Sequence, residues 1–124
     1  MKRVVIASRN KIRIARDSTD PKELSLLAHD DHKYVQTTVL DNPATPSKVA
    51  EELCSELADD DDSLVREAVA RRTNDPQLLA KLADDEWWGV RYGIAKRTDD
   101  PQILAKFVHD EDSRVRRVAA ERRR

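Results

Sequence analysis

Glycine is nearly missing from this chain: 124 residues contain two, Gly89 and Gly93. That excludes a fold built on left-handed turns, which glycine adopts most readily. Aromatic residues make up only 4% and β-branched runs are short, which argues against a sandwich or barrel. A single cysteine, Cys54, excludes an internal disulfide framework and a cysteine-ligated metal cluster. No apolar run approaches the roughly 20 residues of a membrane-spanning helix. "VVIA" at 4–7 is too short for the core of a secretory leader. What remains is the expectation of a soluble, cytoplasmic, all-α protein. It is read as a single domain over residues 1–124, or one short array.

Charge is plentiful, at 38% of residues, yet the net charge is −1. The near-neutral sum hides an uneven layout. Residues 1–16 carry six bases and no acid, residues 17–62 are strongly acidic, and residues 63–124 are weakly basic. This is not the footprint of a general nucleic-acid binder, although segregated charge can orient a partner.

The chain repeats. Pro21, Pro46, Pro76 and Pro101 follow Asp20, Thr45, Asp75 and Asp100, and a β-branched residue stands seven positions before each proline: Ile14, Val39, Val69 and Ile94. A fixed period in this range marks stacked repeats. Each unit reads as two short helices. The first starts with Asp or Thr as N-cap and Pro at N1, where a missing N–H does no harm. It continues with an apolar pair three apart, such as Leu79 and Leu82. The second carries apolar or small residues at i, i+3 and i+4: Val65, Ala68 and Val69, or Val90, Gly93 and Ile94. Helices of two or three turns are unstable alone in water, so each must bury its stripe on its neighbours. The interval from Pro46 to Pro76 is five residues longer than the others, which predicts a longer helix from about Pro46 to Ala58. The units run at about 1–20, 21–45, 46–75, 76–100 and 101–124.

"VLDNPATPSKVAEEL" and "VREAVARRTNDPQLLAKLADDE" resemble leucine-rich repeat variant units, distant helical relatives of the HEAT and armadillo class. The resemblance covers residues 12–124, and "NPATP" at 42–46 carries it best. It implies a right-handed superhelix of about four to five two-helix units, with one helix of each pair partly 3₁₀. It implies an interaction scaffold rather than a shared reaction. The cysteine-rich segment of some relatives has no counterpart here.

Two arginine rows follow the repeat. Asp60 and Arg66, Asp85 and Arg91, and Asp110 and Arg116 stand six residues apart in successive units. They read either as ion pairs tying each turn to its own or the next unit, or as a row that binds phosphate. Asn42, Arg72, Arg97 and Arg122 form the second row, in the last turn of each second helix. They read either as partners of the helix dipole or as a basic strip on one edge. Arg66, Arg72, Arg97, Arg116 and Arg122 are therefore the candidate anion- or nucleic-acid-binding residues.

Signs of chemistry are few. His29 and His109 occupy equivalent slots in distant units, and His32 joins His29 across a turn with too few ligands for zinc. "ADDDDS" at 58–63 lacks the alternating ligands and the glycine of a calcium loop. Cys54 reads as a small core filler. No phosphate loop or nucleophile elbow is present. The expectation is a protein that is not an enzyme, with no metal and no cofactor.

"EWWGVRYG" at 86–93 breaks the polar template. Trp87 and Trp88 fill slots held by His32 and Lys33, Asp62 and Ser63, and Asp112 and Ser113, while Tyr92 fills the slot of Glu67 and Arg117. One reading folds an indole back over the inter-unit groove, with the two glycines making room. The other makes Trp87, Trp88 and Tyr92, with Arg91 nearby, the anchor of a protein interface, because exposed aromatics beside arginine are common hot-spot material. The resulting expectation is a scaffold that binds another protein. Nucleic-acid binding through the arginine row and homo-oligomerisation are the alternatives, and no membrane contact is expected.

Overall fold

The structure, a computed structural model, describes residues 8–124. The front of the first unit, including "VVIA", lies outside the described residues. Within them the chain forms nine helices and no strand: α1 (Ser8–Asp17), α2 (Pro21–Leu27), α3 (Lys33–Asp41), α4 (Ser47–Leu57), α5 (Ser63–Arg72), α6 (Pro76–Leu82), α7 (Trp88–Arg97), α8 (Pro101–Phe107) and α9 (Ser113–Arg122). None of the described helices is long and apolar enough to cross a membrane.

The capping signals act where the sequence puts them, with one exception. The carboxylates of Asp20, Asp75 and Asp100 accept from the backbone N–H of Lys22, Gln77 and Gln102 at 3.0, 2.9 and 2.8 Å, and Pro follows at the first helical position. Thr45 does not cap α4. Its hydroxyl turns inward and donates to the Val39 carbonyl at 2.7 Å, so α4 starts a residue later, with Pro46 as an N-cap that makes no side-chain bond. The extra length of this unit appears in α4, which has 11 residues where its counterparts have 7.

The short helices are α-helical, not 3₁₀. Leu24 N–H donates to the Asp20 carbonyl, an i to i−4 bond set up by the cap, and the Leu79 and Leu104 amides do the same. In α2, α6 and α8 the tighter i to i−3 bonds come past the C-terminal ends, as in His29 to Leu26 and Asp85 to Leu82, while Val35, Val65 and Val90 make such bonds at the starts of α3, α5 and α7. Past the C-terminal ends they use carbonyls that the helix leaves free.

The odd-numbered helices pack in succession: α1 on α3, α3 on α5, α5 on α7, and α7 on α9. Each even-numbered helix packs on the odd helices before and after it, and no comparable contact joins one even helix to the next. The core runs between the two sets. Val35, Val65, Val90 and Val115, one per unit, are buried, as are Val39, Val69, Ile94 and Ala119 one turn later. Leu27, Leu53, Leu82, Leu104 and Phe107 join them from the even helices. Full burial of such side chains stabilises by about 1.5–3 kcal/mol each. Gly93 allows close approach of α7 and α5: a Cβ there would lie 3.3 Å from the Ala70 methyl.

Candidate interaction surface

The turns between even and odd helices share one construction. The carboxylates of Asp30, Asp60, Asp85 and Asp110 accept from the backbone N–H two residues on, at 2.8–2.9 Å. This closes a small side-chain turn of the kind aspartate favours. The same carboxylates receive a cation from the preceding odd helix. Arg66 grips Asp85 through Nε at 2.8 Å and Nη2 at 3.2 Å, and Arg91 grips Asp110 at 2.9 and 3.1 Å. Lys11 meets Asp30 at 2.7 Å. The Nη1 atoms of Arg66 and Arg91 donate back to their own turn, to the carbonyls of Asp60 and Asp85. The arginine six residues on from each turn aspartate thus bonds to that residue's backbone, and its carboxylate partner lies one unit further along.

Arg91 is therefore not a contact residue beside the aromatics. It is buried, and its pairing with Asp110 raises its pKa, as pairing with Asp85 does for Arg66. Arg116 is the exception in this row. It is exposed, and among the described residues it donates only to the Asp110 carbonyl of its own turn.

The second row does not form a free basic strip either. Arg72 donates to the carbonyls of Leu40, Asn42 and Thr45 at 2.6–3.0 Å. Arg97 reaches Ala70 and Thr73, and Arg122 reaches Ala95 and Thr98. Asn42 does the same for the carbonyls of Ala15 and Ser18. Each side chain caps the C-terminal carbonyls of the preceding odd helix, not of its own. The chemistry is the expected one of cation and dipole, carried across a unit boundary.

Trp87, Trp88 and Tyr92 do come together. The two indoles lie 6.0 Å apart at 44°, and Trp88 meets Tyr92 edge-on at 6.0 Å. Trp87 is 40% exposed, whereas Trp88 and Tyr92 are half-buried. The Trp87 N–H donates to Glu67 on α5 at 3.3 Å. Gly89 makes room for that pair, since a Cβ there would lie 2.4 Å from the Glu67 carboxylate and 2.9 Å from the indole nitrogen. Arg114, on α9, stacks over the Trp88 ring at 3.3 Å, and Lys96 lies 5.4 Å from the Tyr92 ring centre.

Trp87 stands at the N-cap of α7 and makes no capping bond. Its counterparts His32, Asp62 and Asp112 each accept from the amide two residues on, at 3.2, 2.8 and 2.8 Å. The edge also holds side chains that the sequence pattern did not single out. Tyr34, 39% exposed, and Leu64, 57% exposed, share a slot two residues after the cap. Tyr34 donates its hydroxyl to Asp62 at 2.5 Å, a bond that raises its own pKa and lowers that of Asp62. Comparing positions 34, 64, 89 and 114 across units would have exposed this row: Tyr, Leu, Gly, Arg.

His29 and His109 are exposed. Among the described residues no group of three or more His, Cys, Asp or Glu is placed to hold a metal. Cys54 is buried, and burial pushes its thiol up to about 12. No protein-family model, curated protein or solved structure matches this chain.

Proposed function

We propose that the protein is a right-handed α-solenoid of about four to five two-helix units, of the leucine-rich repeat variant kind, that serves as a non-enzymatic, cytoplasmic scaffold for a protein partner. The partner docks on the surface around Trp87, Trp88 and Tyr92. Support for the solenoid comes from the succession of odd-helix contacts and the two rows of cross-unit bonds.

One observation carries the docking reading: Trp87 occupies a helix cap. An acceptor there stabilises a helix by about 1 kcal/mol, and the equivalent slots of α3, α5 and α9 have one. A partly exposed indole in that place breaks a local rule that the other inter-helix turns, before α3, α5 and α9, keep, a pattern characteristic of functional positions. Nucleic-acid binding is the weaker reading. Arg66, Arg72, Arg97 and Arg122 already serve protein acceptors, so phosphate would have to displace internal bonds. The edge beside the aromatics is rich in carboxylates, which repel polyanions.

The test is affinity capture from the native cell with two baits, the wild type and a Trp87→Ala/Trp88→Ala variant of unchanged helicity. Proteins held by the first and lost from the second support the docking reading. Equal retention by both baits contradicts it.

A further inference from the structure

We propose that the partner segment recognised at this surface is a basic peptide in extended, polyproline-like conformation, lying across the N-terminal ends of α3, α5 and α7; this rests on the docking reading above. The surface is continuous. Tyr34 bonds to Asp62, Asp62 caps α5 beside the exposed Leu64, and Glu67, one turn into α5, holds the Trp87 indole. Apolar material therefore recurs once per unit along one edge: Tyr34, Leu64, Trp87.

Beside it runs a row of carboxylates in one turn position. Asp31, Asp61 and Glu86 are exposed. None of the three makes a side-chain hydrogen bond or ion pair among the described residues, unlike the neighbouring Asp30, Asp60 and Asp85. A groove of about 450 Å³ opens between the turns of Asp61 and Glu86, and its lining has five carboxylates against two cations, Arg66 and Lys81. A smaller groove of about 280 Å³ recurs at the equivalent place next to Asp31. Each groove can take a lysine or arginine side chain with its head against an unpaired carboxylate.

Spacing selects the conformation. Packed helices lie roughly 8–10 Å apart. A polyproline-like chain has three residues per turn and rises about 3.1 Å per residue, or about 9 Å per turn. Every third residue of such a peptide meets the next unit in the same orientation. The occupant is therefore a segment with a cation at every third position and apolar residues between, the apolar residues covering Tyr34, Leu64 and Trp87.

The probes are three labelled nonapeptides, read by fluorescence anisotropy on the full chain: three repeats of Lys-Pro-Leu, the same residues with the lysines contiguous, and three repeats of Glu-Pro-Leu. The spaced basic peptide should bind best and weaken with added salt. The exposed substitutions Asp31→Asn, Asp61→Asn and Glu86→Gln should each weaken it about two- to fivefold, as rim ion pairs do. Trp87→Ala should weaken it as well.

Equal binding of the two basic peptides would overturn the spacing argument. Binding unchanged in the combined neutral variant, or no binding of the spaced basic peptide, would overturn the inference. If the acidic peptide bound instead and lost affinity with Trp87→Ala, the aromatic docking surface would stand and its proposed occupant would fall. Failure of the docking reading itself would appear separately, as equal retention in the two-bait capture.

Discussion

Arg91 and Arg71 allow one sharp test of what the arginines do. Both sit on odd helices and both hold an aspartate of another element with Nε and Nη2, Arg91 gripping Asp110 and Arg71 gripping Asp41 at 3.1 and 3.0 Å. They differ in exposure. The Arg91 and Asp110 side chains are each 9% exposed, and those of Arg71 and Asp41 are 51% and 47% exposed. Substitution by methionine keeps most of the aliphatic stem in place, so the loss reports mainly on the guanidinium. Arg91→Met strands a nearly buried carboxylate and frees the Asp85 carbonyl. Breaking a buried pair from one side typically destabilises by 3–5 kcal/mol. Asp110 keeps its bond from the Asp112 amide, so about 3 kcal/mol is expected, at the lower end of that range. Arg71→Met should lose about 0–1 kcal/mol. In urea, with a slope of about 2 kcal/mol per molar, the midpoints should fall by about 1.5 M and by less than about 0.5 M. Equal losses would refute the division between buried staples and exposed pairs. So would a loss at Arg91 below about 1 kcal/mol.

Three further outcomes follow from the same geometry. Trp87→Asn should be more stable than Trp87→Ala by about 1 kcal/mol, because asparagine restores the missing cap of α7; equal urea midpoints would mean that the cap is not the deficit. Cys54, buried and pushed up to about 12, should not react with a disulfide reagent at pH 8 until urea unfolds the chain, because the thiolate is the nucleophile. Asp112 is held down at about 2, first by Arg114, and Asp30 and Asp62 are lowered as well, first by bonds from Lys11 and Tyr34. A carboxylate whose folded pKa lies below its unfolded value contributes stability above that unfolded value and loses it as the folded pKa is approached. The melting temperature should therefore be level at neutral pH and fall between pH about 4 and about 2. Asp112→Asn, which keeps a capping acceptor, should fall less steeply.

Helix content was legible in the sequence because each helix begins with its own chemistry. Asp20, Asp75 and Asp100 before proline set the starts, and the valine stripes set the buried faces. Thr45 misled because its hydroxyl had a buried carbonyl to satisfy, which no cap rule anticipates. The arginine rows were visible as periodic positions, but their partners were not. A spacing of six set Arg66 beside Asp60 and left open whether its ion pair ties its own turn or the next unit; helix stacking brings it the Asp85 carboxylate. Arg72 looked like a cation at the end of its own helix because cross-unit reach cannot be read from local spacing. Trp87 and Trp88 were conspicuous because the template slot is polar. Tyr34 and Leu64 were not, because single apolar residues on a helix surface are ordinary.

The central proposal is a register of equivalent units joined by the same bonds, and inserting a second copy of residues 76–100 after Asp100 tests it most directly. In the longer chain the cross-unit bonds of both arginine rows have existing counterparts. Arg91 of the first copy meets Asp85 of the second, as Arg66 does now, and Arg97 of the second copy meets Ala95 and Thr98 of the first, as Arg122 does now. Circular dichroism and urea unfolding should report the same helicity per residue and a midpoint no lower than that of the parent. A protein that lost helicity, aggregated or unfolded at lower urea would contradict the register.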